Sequence, residues 1–394
     1  MKQVTVIGGG LGGLVAAIAA AEAGARVELF ESHQTLGGRA RSTEGAYIAN
    51  DGPHVFYSDG PHWPWLVERR IVTPAARIPL REGRWLRFRH QGRRRAMPPA
   101  GVLRPASRRR LEAPFDQDFR SWATSRFGAG SARMTANMMG VATFDRDPGR
   151  LSAAFVWERF LRVTRPGYPS PRYVVGGWRA AVDRLAARAR ELGVRIETGA
   201  RVDVLPTSTP VIVATSLDAA RHLLGDDTLR WESGRTAMLD LGVRRHKGDA
   251  LVVFDLDEAG FFERFTGPDP TLAPRDHSLV QAQMPLRVGE SKASGLARLE
   301  GLVDLALPGW RERTTWRREA VAAGRTGALD LPGTSWRDRP AIDRGHGVYL
   351  VGDQVAAPGL LSEVTLASAR QAAHLAAGAP GPAVLAAHHP AVRQ

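Results

Sequence analysis

The sequence contains no cysteine. That excludes disulfides, thiolate nucleophiles, cysteine-ligated zinc, iron–sulfur clusters and a cysteinyl link to a cofactor. Lysine is nearly absent, with only Lys2, Lys247 and Lys292. A long hydrophobic run is lacking too. The longest apolar stretch, Leu11 to Ala21, is rich in glycine and alanine and stops at Glu22. It falls short of the roughly 20 residues that a membrane-spanning helix needs. A strand pattern, Val4-Thr5-Val6-Ile7, follows Met1 so closely that no charged leader is expected, and a soluble, cytoplasmic protein is the reading.

What is abundant is arginine. Lys and Arg total 54 against 40 Asp and Glu, a formal net charge of +14. Such a balance invites a nucleic-acid reading. The arginines are spread along the whole chain, however, and compact modules mixing aromatic and basic residues are missing, so no nucleic-acid partner is expected. A chain of 394 residues, 43% hydrophobic and 24% charged, is an ordinary globular composition for roughly two domains.

The N-terminus reads as strand, glycine turn, helix, strand. Val4 to Ile7 suits a buried parallel strand, Leu14 to Ala23 an alanine-rich helix stopped by Gly24, and Val27 to Glu31 a second strand. A second block begins at Gly176-Gly177. It runs through a helix over Arg179 to Leu192 and strands at Val194–Glu197, Val202–Leu205 and Val211–Ala214. A third block holds the strand before Gly352-Asp353 and a helix from Ser362 to Ala377. Between them, alternating stretches at Ala237–Val243 and Leu279–Met284 predict an antiparallel sheet with one wet face, and Asp116 to Phe127 predicts a helical patch. The fold class is therefore α/β, a Rossmann-like domain with an inserted α+β substrate domain. The first comprises residues 1–54, 172–222 and 336–394, and the second 55–171 and 223–335.

Gly8-x-Gly10-x-x-Gly13, between a strand and a helix, fits the dinucleotide fingerprint. Its glycines permit a tight turn, close approach of a pyrophosphate, and close packing of helix on strand. The helix start offers N–H groups and partial positive charge to phosphate. Glu31 ends the second strand, where a carboxylate accepts ribose hydroxyls and repels a 2′-phosphate. An unphosphorylated ribose, as in FAD or NAD, is expected.

Four ordered segments resemble the FAD-dependent amine oxidase and phytoene desaturase superfamily. Besides the fingerprint, Gly37-Gly38-Arg39-Ala40-Arg41-Ser42 is similar to its second glycine motif. Asn50-Asp51-Gly52-Pro53-His54 is similar to the segment that next approaches the flavin. Gly176-Gly177 with Glu197–Val202 resembles the middle FAD segment, and Tyr349-Leu350-Val351-Gly352-Asp353 the C-terminal one. The resemblance implies bound FAD held by Gly8, Gly10, Gly12, Gly13, Glu31, Gly38, Arg39, Gly52, Pro53, Val202, Gly352, Asp353 and Val364. Val202 would act through its backbone, and the last helix would aim its N-terminus at the ring. The family usually has a small residue or glycine where this chain has Glu363-Val364, and this chain is shorter than carotenoid-type desaturases.

Candidates for the chemistry are His54, for proton exchange near neutral pH or as a covalent anchor, Trp336, as a wall of the pocket, and Tyr173, from the region of the middle FAD segment. No metal site is expected; His388-His389 reads as a tail. The resemblance implies an oxidoreductase that dehydrogenates a small or lipophilic organic substrate by hydride transfer to flavin. Oxidation of an amine to an imine, with electrons passing to oxygen, is the alternative. A non-catalytic FAD-binding partner is a third reading, and an NAD-only dehydrogenase is disfavoured by the second glycine motif. Residues 84–110, arginine-rich and interrupted by Trp85, Phe88 and Met97, are a candidate for peripheral contact with anionic lipid.

Overall fold

Strand Gln3–Ile7 lies at the centre of a five-stranded sheet whose order is Val348–Leu350, Val211–Val213, Gln3–Ile7, Arg26–Glu31 and Arg195–Thr198. All four pairings are parallel. This computed structural model describes residues 2–52, 55–167, 169–207 and 209–378. The sheet draws its strands from three separate parts of the chain. Helix Leu11–Glu22 packs on it between helices Gly177–Glu191 and Ser362–Ala377. Its residues Gly12 to Ala20 are all buried. A helix covered on every side tolerates only small residues where neighbouring backbones come close, which accounts for its alanines. Helix Gly177–Glu191 instead buries one stripe, Trp178, Ala181, Val182, Leu185 and Ala189, the spacing of an amphipathic helix.

A second sheet has seven strands in the order Thr314–Ala323, Arg235–Arg244, His277–Pro285, Phe261–Arg264, Val252–Asp255, Leu86–His90 and Arg93–Arg95. Its pairings are antiparallel except the parallel one joining Val252–Asp255 to Leu86–His90. Ala237, Leu239, Leu241, Val280, Ala282 and Met284 form one face and pack under helix Lys292–Ala306. The expected wet face is not wet. The alternation is present, but Asp240, Gln281 and Gln283 are buried. The polar face is turned toward the nucleotide-binding half of the molecule rather than toward water.

Helices Phe119–Phe127, Ala129–Met138 and Ala153–Val163 complete the insertion around an aromatic core of Phe119, Trp122, Phe127, Trp157 and Phe160. The first begins at Phe119 rather than near Asp116, because the Asp118 side chain accepts the Ser121 N–H and caps it. No strand forms over Val202–Leu205; the segment is a loop with Val204 82% exposed. Secondary-structure elements also cross two of the expected domain breaks. Helix Leu217–Leu224 packs on the parallel-sheet core and runs through the expected break at 222. A small sheet pairs Pro171–Val174, which runs through the expected break at 171, with Phe56–Tyr57 and Ala75–Ala76.

Candidate functional site

The glycine turn leaves strand Gln3–Ile7 at its carboxyl end. Gly8 has φ +105°, and a Cβ there would lie 2.7 Å from the Ala214 carbonyl oxygen. A Cβ on Gly13 would lie 1.8 Å from the Gly8 oxygen, and one on Gly12 2.7 Å from Cγ1 of Val351. These glycines are demanded by the packing of strand, helix and C-terminal segment. Gly10 differs. The nearest atom to a Cβ there is the Gly37 oxygen at 3.8 Å. Nothing in the protein requires glycine at this point, so the space beside it suits the close approach of a pyrophosphate.

Glu31 is buried beside this turn. Its Oε2 accepts the Gly9 N–H at 2.7 Å and its Oε1 the His33 N–H at 2.8 Å. The Gly199 and Ala200 N–H groups bond to the carbonyls of His33 and Glu31, which brings the loop holding half-buried Val202 to the same place. The Gly37 N–H donates to the Gly9 carbonyl at 2.8 Å, docking the second glycine segment on the first. Arg39 then forms a two-pronged pair with Asp353, at 2.5 and 2.9 Å. Burial pushes the Asp353 carboxyl up, but the Arg39 charge outweighs it and holds the group below its ordinary value. This pair joins residues 314 apart in sequence and follows Gly352, which has open space on its Cβ side.

Asn50 and Asp51 tie this half to the large sheet. The Asn50 side-chain oxygen accepts the Trp178 N–H at 3.0 Å and the Ser42 hydroxyl at 2.9 Å. The Asn50 carbonyl accepts from Gln281 at 2.8 Å and from Arg318, which also pairs with Asp51 at 2.9 Å. Gly52 follows with φ +128°. Pro53 and His54 lie outside the described residues, as do His388 and His389.

Arg318, Asp240, Gln281 and Glu263 occupy directly opposed positions on four adjacent strands. They therefore form one polar row on one sheet face. Asp240 accepts from Arg318 at 2.7 Å and from Gln281 at 3.0 Å. At the other end, the Tyr173 hydroxyl donates to Glu263. Burial pushes the Glu263 carboxyl up to about 7, the tyrosine bond only partly opposing it, and pushes the Tyr173 hydroxyl well up. The folded state thus holds a proton on Glu263 at pH values where the unfolded chain has lost it. Stability is greatest below about 4.5 and falls as pH rises to about 7, by about 2–3 kcal/mol from this group. Glu263→Gln should remove that portion of the slope. Denaturant midpoints measured from pH 4 to 8 check it, and parallel wild-type and variant curves would refute it.

The candidates Tyr173 and Trp336 do not meet. The Tyr173 ring packs edge-on against Phe265 at 5.7 Å, whereas half-buried Trp336 carries the Arg337 guanidinium 4.3 Å above its ring. No ring contact joins them among the described residues. Val364 lies in the first turn of the last helix with its amide already engaged. Its side chain is buried in the core and its N–H already donates to the Leu361 carbonyl at 3.1 Å. The residue that sequence reading passed over is Glu363. Its carboxylate accepts the Leu360 N–H at 3.0 Å and both prongs of Arg162, at 2.6 and 2.7 Å. An acid in the first turn of a helix is the available signal, since it complements the helix dipole. Leu361, just before this helix, has φ +53°, a strained value for leucine.

The parallel sheet, its glycine turn and the covering second sheet define a Rossmann-type dinucleotide-binding protein with an inserted domain. The sequence profile described as an NAD(P)-binding Rossmann-like domain matches residues 6–69. No curated protein matches the sequence. Among solved structures, an oxidoreductase from Methanosarcina mazei superposes with TM-score 0.74 at 17% identity, over 93% of this chain and 99% of its own. Cyclohexylamine oxidase from Brevibacterium oxydans gives 0.70 at 15%, over 96% and 99%. Reduced UDP-galactopyranose mutase gives 0.70 at 15%, over 96% of each chain. The chain therefore shares its overall fold with these oxidoreductase, oxidase and mutase structures. Among the described residues no helix is long and apolar enough to cross a membrane, and no cluster of acidic or histidine side chains is placed to hold a metal.

Proposed function

We propose that the protein is an FAD-dependent oxidoreductase that removes a hydride from a small organic substrate held between its two sheets. The observation that carries this reading is the convergence of Gly10, Glu31, Arg39 and Asp353 on one turn, with Asn50–Gly52 leading from there to the dry polar row. The donor set fits FAD better than NAD alone. A single nucleotide fold does not need the second glycine segment and the Arg39–Asp353 pair, and Glu31 suits an unphosphorylated ribose.

When bound, FAD supplies the acceptor for the hydride. Arg39 offers its guanidinium to pyrophosphate oxygens with charge assistance. Glu31 accepts ribose hydroxyls, and the start of helix Leu11–Glu22 faces the phosphates with its partial positive charge. The second sheet and Asn50 exclude water. Tyr173 and Glu263 hold a proton near neutral pH.

The relatives' names span an oxidase and a mutase, so shared fold does not choose the substrate. The leading reading is desaturation of a small or lipophilic molecule. Amine oxidation is the second, favoured by Glu263, a buried carboxyl pushed up to about 7 whose described partner is a neutral tyrosine, and which would give up its proton to stand as a carboxylate opposite an ammonium group. Denatured protein should release FAD at near-equimolar amount, and its absence overturns the proposal. Anaerobic titration with a panel of amines then separates the readings. Bleaching of the flavin bands selects amine oxidation, and bands that persist leave desaturation. If no reductant of any organic class bleaches bound flavin, the protein is a non-catalytic FAD binder.

A further inference from the structure

Helix Ala100–Ala106, the turn after it and the end of helix Phe119–Phe127 line an open surface cleft of about 710 Å³. Its walls carry Arg104, Arg108, Arg109, Arg110 and Arg126, with Phe127 at their side. The volume is that of a small-molecule site. Elsewhere in this chain arginines are commonly matched with carboxylates: Arg150 pairs with Asp145 and Glu232, and Arg298 with Glu258 and Glu290. Among the described residues none of the five cleft arginines forms an ion pair.

The cleft is nonetheless built rather than splayed. The Arg108 N–H donates to Pro105 and the Leu111 N–H to Arg108, closing two successive turns at 2.9 and 3.0 Å. The Leu111 carbonyl accepts the Trp157 indole N–H at 2.7 Å. The Arg109 guanidinium is fixed by the carbonyls of Leu161 and Thr164, at 2.5 and 3.3 Å, where helix Ala153–Val163 ends. Five like charges around a fixed concavity, with no ion-pair partner among the described residues, complement a ligand of several negative charges. The planar fork of arginine matches phosphate oxygens in particular.

We propose that this cleft binds a phosphate-bearing ligand. The chemistry is shared by two sources, a soluble phosphorylated molecule and the headgroup of an anionic phospholipid. Leu103, 50% exposed beside Arg104, and Met97, 71% exposed just before the helix, would lie against acyl chains in the second case.

The test compares the full-length protein with the triple variant Arg104→Glu, Arg108→Glu, Arg110→Glu, in excess FAD so that the nucleotide turn does not compete. Calorimetry with inorganic pyrophosphate probes the soluble source. Co-sedimentation with phosphatidylglycerol–phosphatidylcholine vesicles, against phosphatidylcholine alone, probes the lipid source. Binding to either probe should weaken by roughly tenfold or more in the triple variant and fade at high salt. The milder pair Arg104→Gln, Arg108→Gln should move the same way by less. Melting temperatures should be unchanged, since the replaced side chains are exposed. Pyrophosphate binding without vesicle binding selects the soluble ligand, and binding that requires phosphatidylglycerol selects the lipid. The proposal is overturned by failure of both probes or by equal binding in the triple variant.

Discussion

Gly10→Ala is expected to fold normally and to purify without flavin colour. The residue has φ −75° and ψ −176°, a conformation alanine adopts freely. The added methyl meets nothing in the protein closer than 3.8 Å. What it does fill is the gap where the pyrophosphate must come against the backbone. The expected result is a melting temperature close to that of the wild type and an FAD dissociation constant raised roughly a hundredfold, about 3 kcal/mol. Gly13→Ala is the contrasting control. Its methyl would land 1.8 Å from the Gly8 carbonyl oxygen, so helix and strand must part and the fold itself should suffer. Fluorescence titration with FAD, alongside thermal melts, separates the two. Unchanged FAD affinity in Gly10→Ala would mean that the nucleotide does not lie along this turn.

Arg162→Ala should cause the largest loss of stability among single charge removals, about 3–5 kcal/mol. Arg162 reaches from helix Ala153–Val163 of the insertion to Glu363 at the start of the last helix and to Asp59 at 2.8 Å. The Glu363 side chain is only 5% exposed. Removing the arginine strands a buried carboxylate beside a second acid, whereas the intact cluster satisfies both. The guanidinium also lies 4.8 Å over the Tyr57 ring, whose hydroxyl burial pushes up to about 12. Glu363→Gln introduced into the Arg162→Ala protein should recover part of the loss, because the stranded charge goes with it. Chemical denaturation of the three proteins decides the matter, and a loss under about 1 kcal/mol for Arg162→Ala would show that water screens the cluster.

The nucleotide turn was legible because its signals are local. A strand, three spaced glycines, a helix and an acid at the next strand's end all fall within residues 3–31. The last helix was equally plain, and its observed limits, Ser362–Ala377, are those expected from the sequence. The Arg39–Asp353 pair was not legible, since each residue was assigned to the ligand and nothing local says that they meet. The alternation in Arg235–Arg244 and His277–Pro285 gave the strands and their two faces. It could not say that Asn50 and Tyr173, from distant parts of the chain, would cover the polar face. Val202–Leu205 misled for the opposite reason. Its alternation is that of a strand, but no neighbour offers it a ladder of hydrogen bonds, and Val204 faces water.

The interleaving of the parallel sheet governs the order in which the molecule can be made. Its first-synthesised strand sits between Arg26–Glu31, which follows at once, and Val211–Val213, which arrives only in mid-chain. The helix after that first strand is roofed by the last helix described, Ser362–Ala377. The face of Leu11–Glu22 that Ser362–Ala377 covers therefore stays open until that helix is made, and the nucleotide turn cannot be completed by the N-terminal portion alone. The insertion, with its own aromatic core, has all its helices in place well before then. The nucleotide site thus draws on segments as far apart as Gly8 and Asp353, and is complete only when all three parts of the parallel sheet are present.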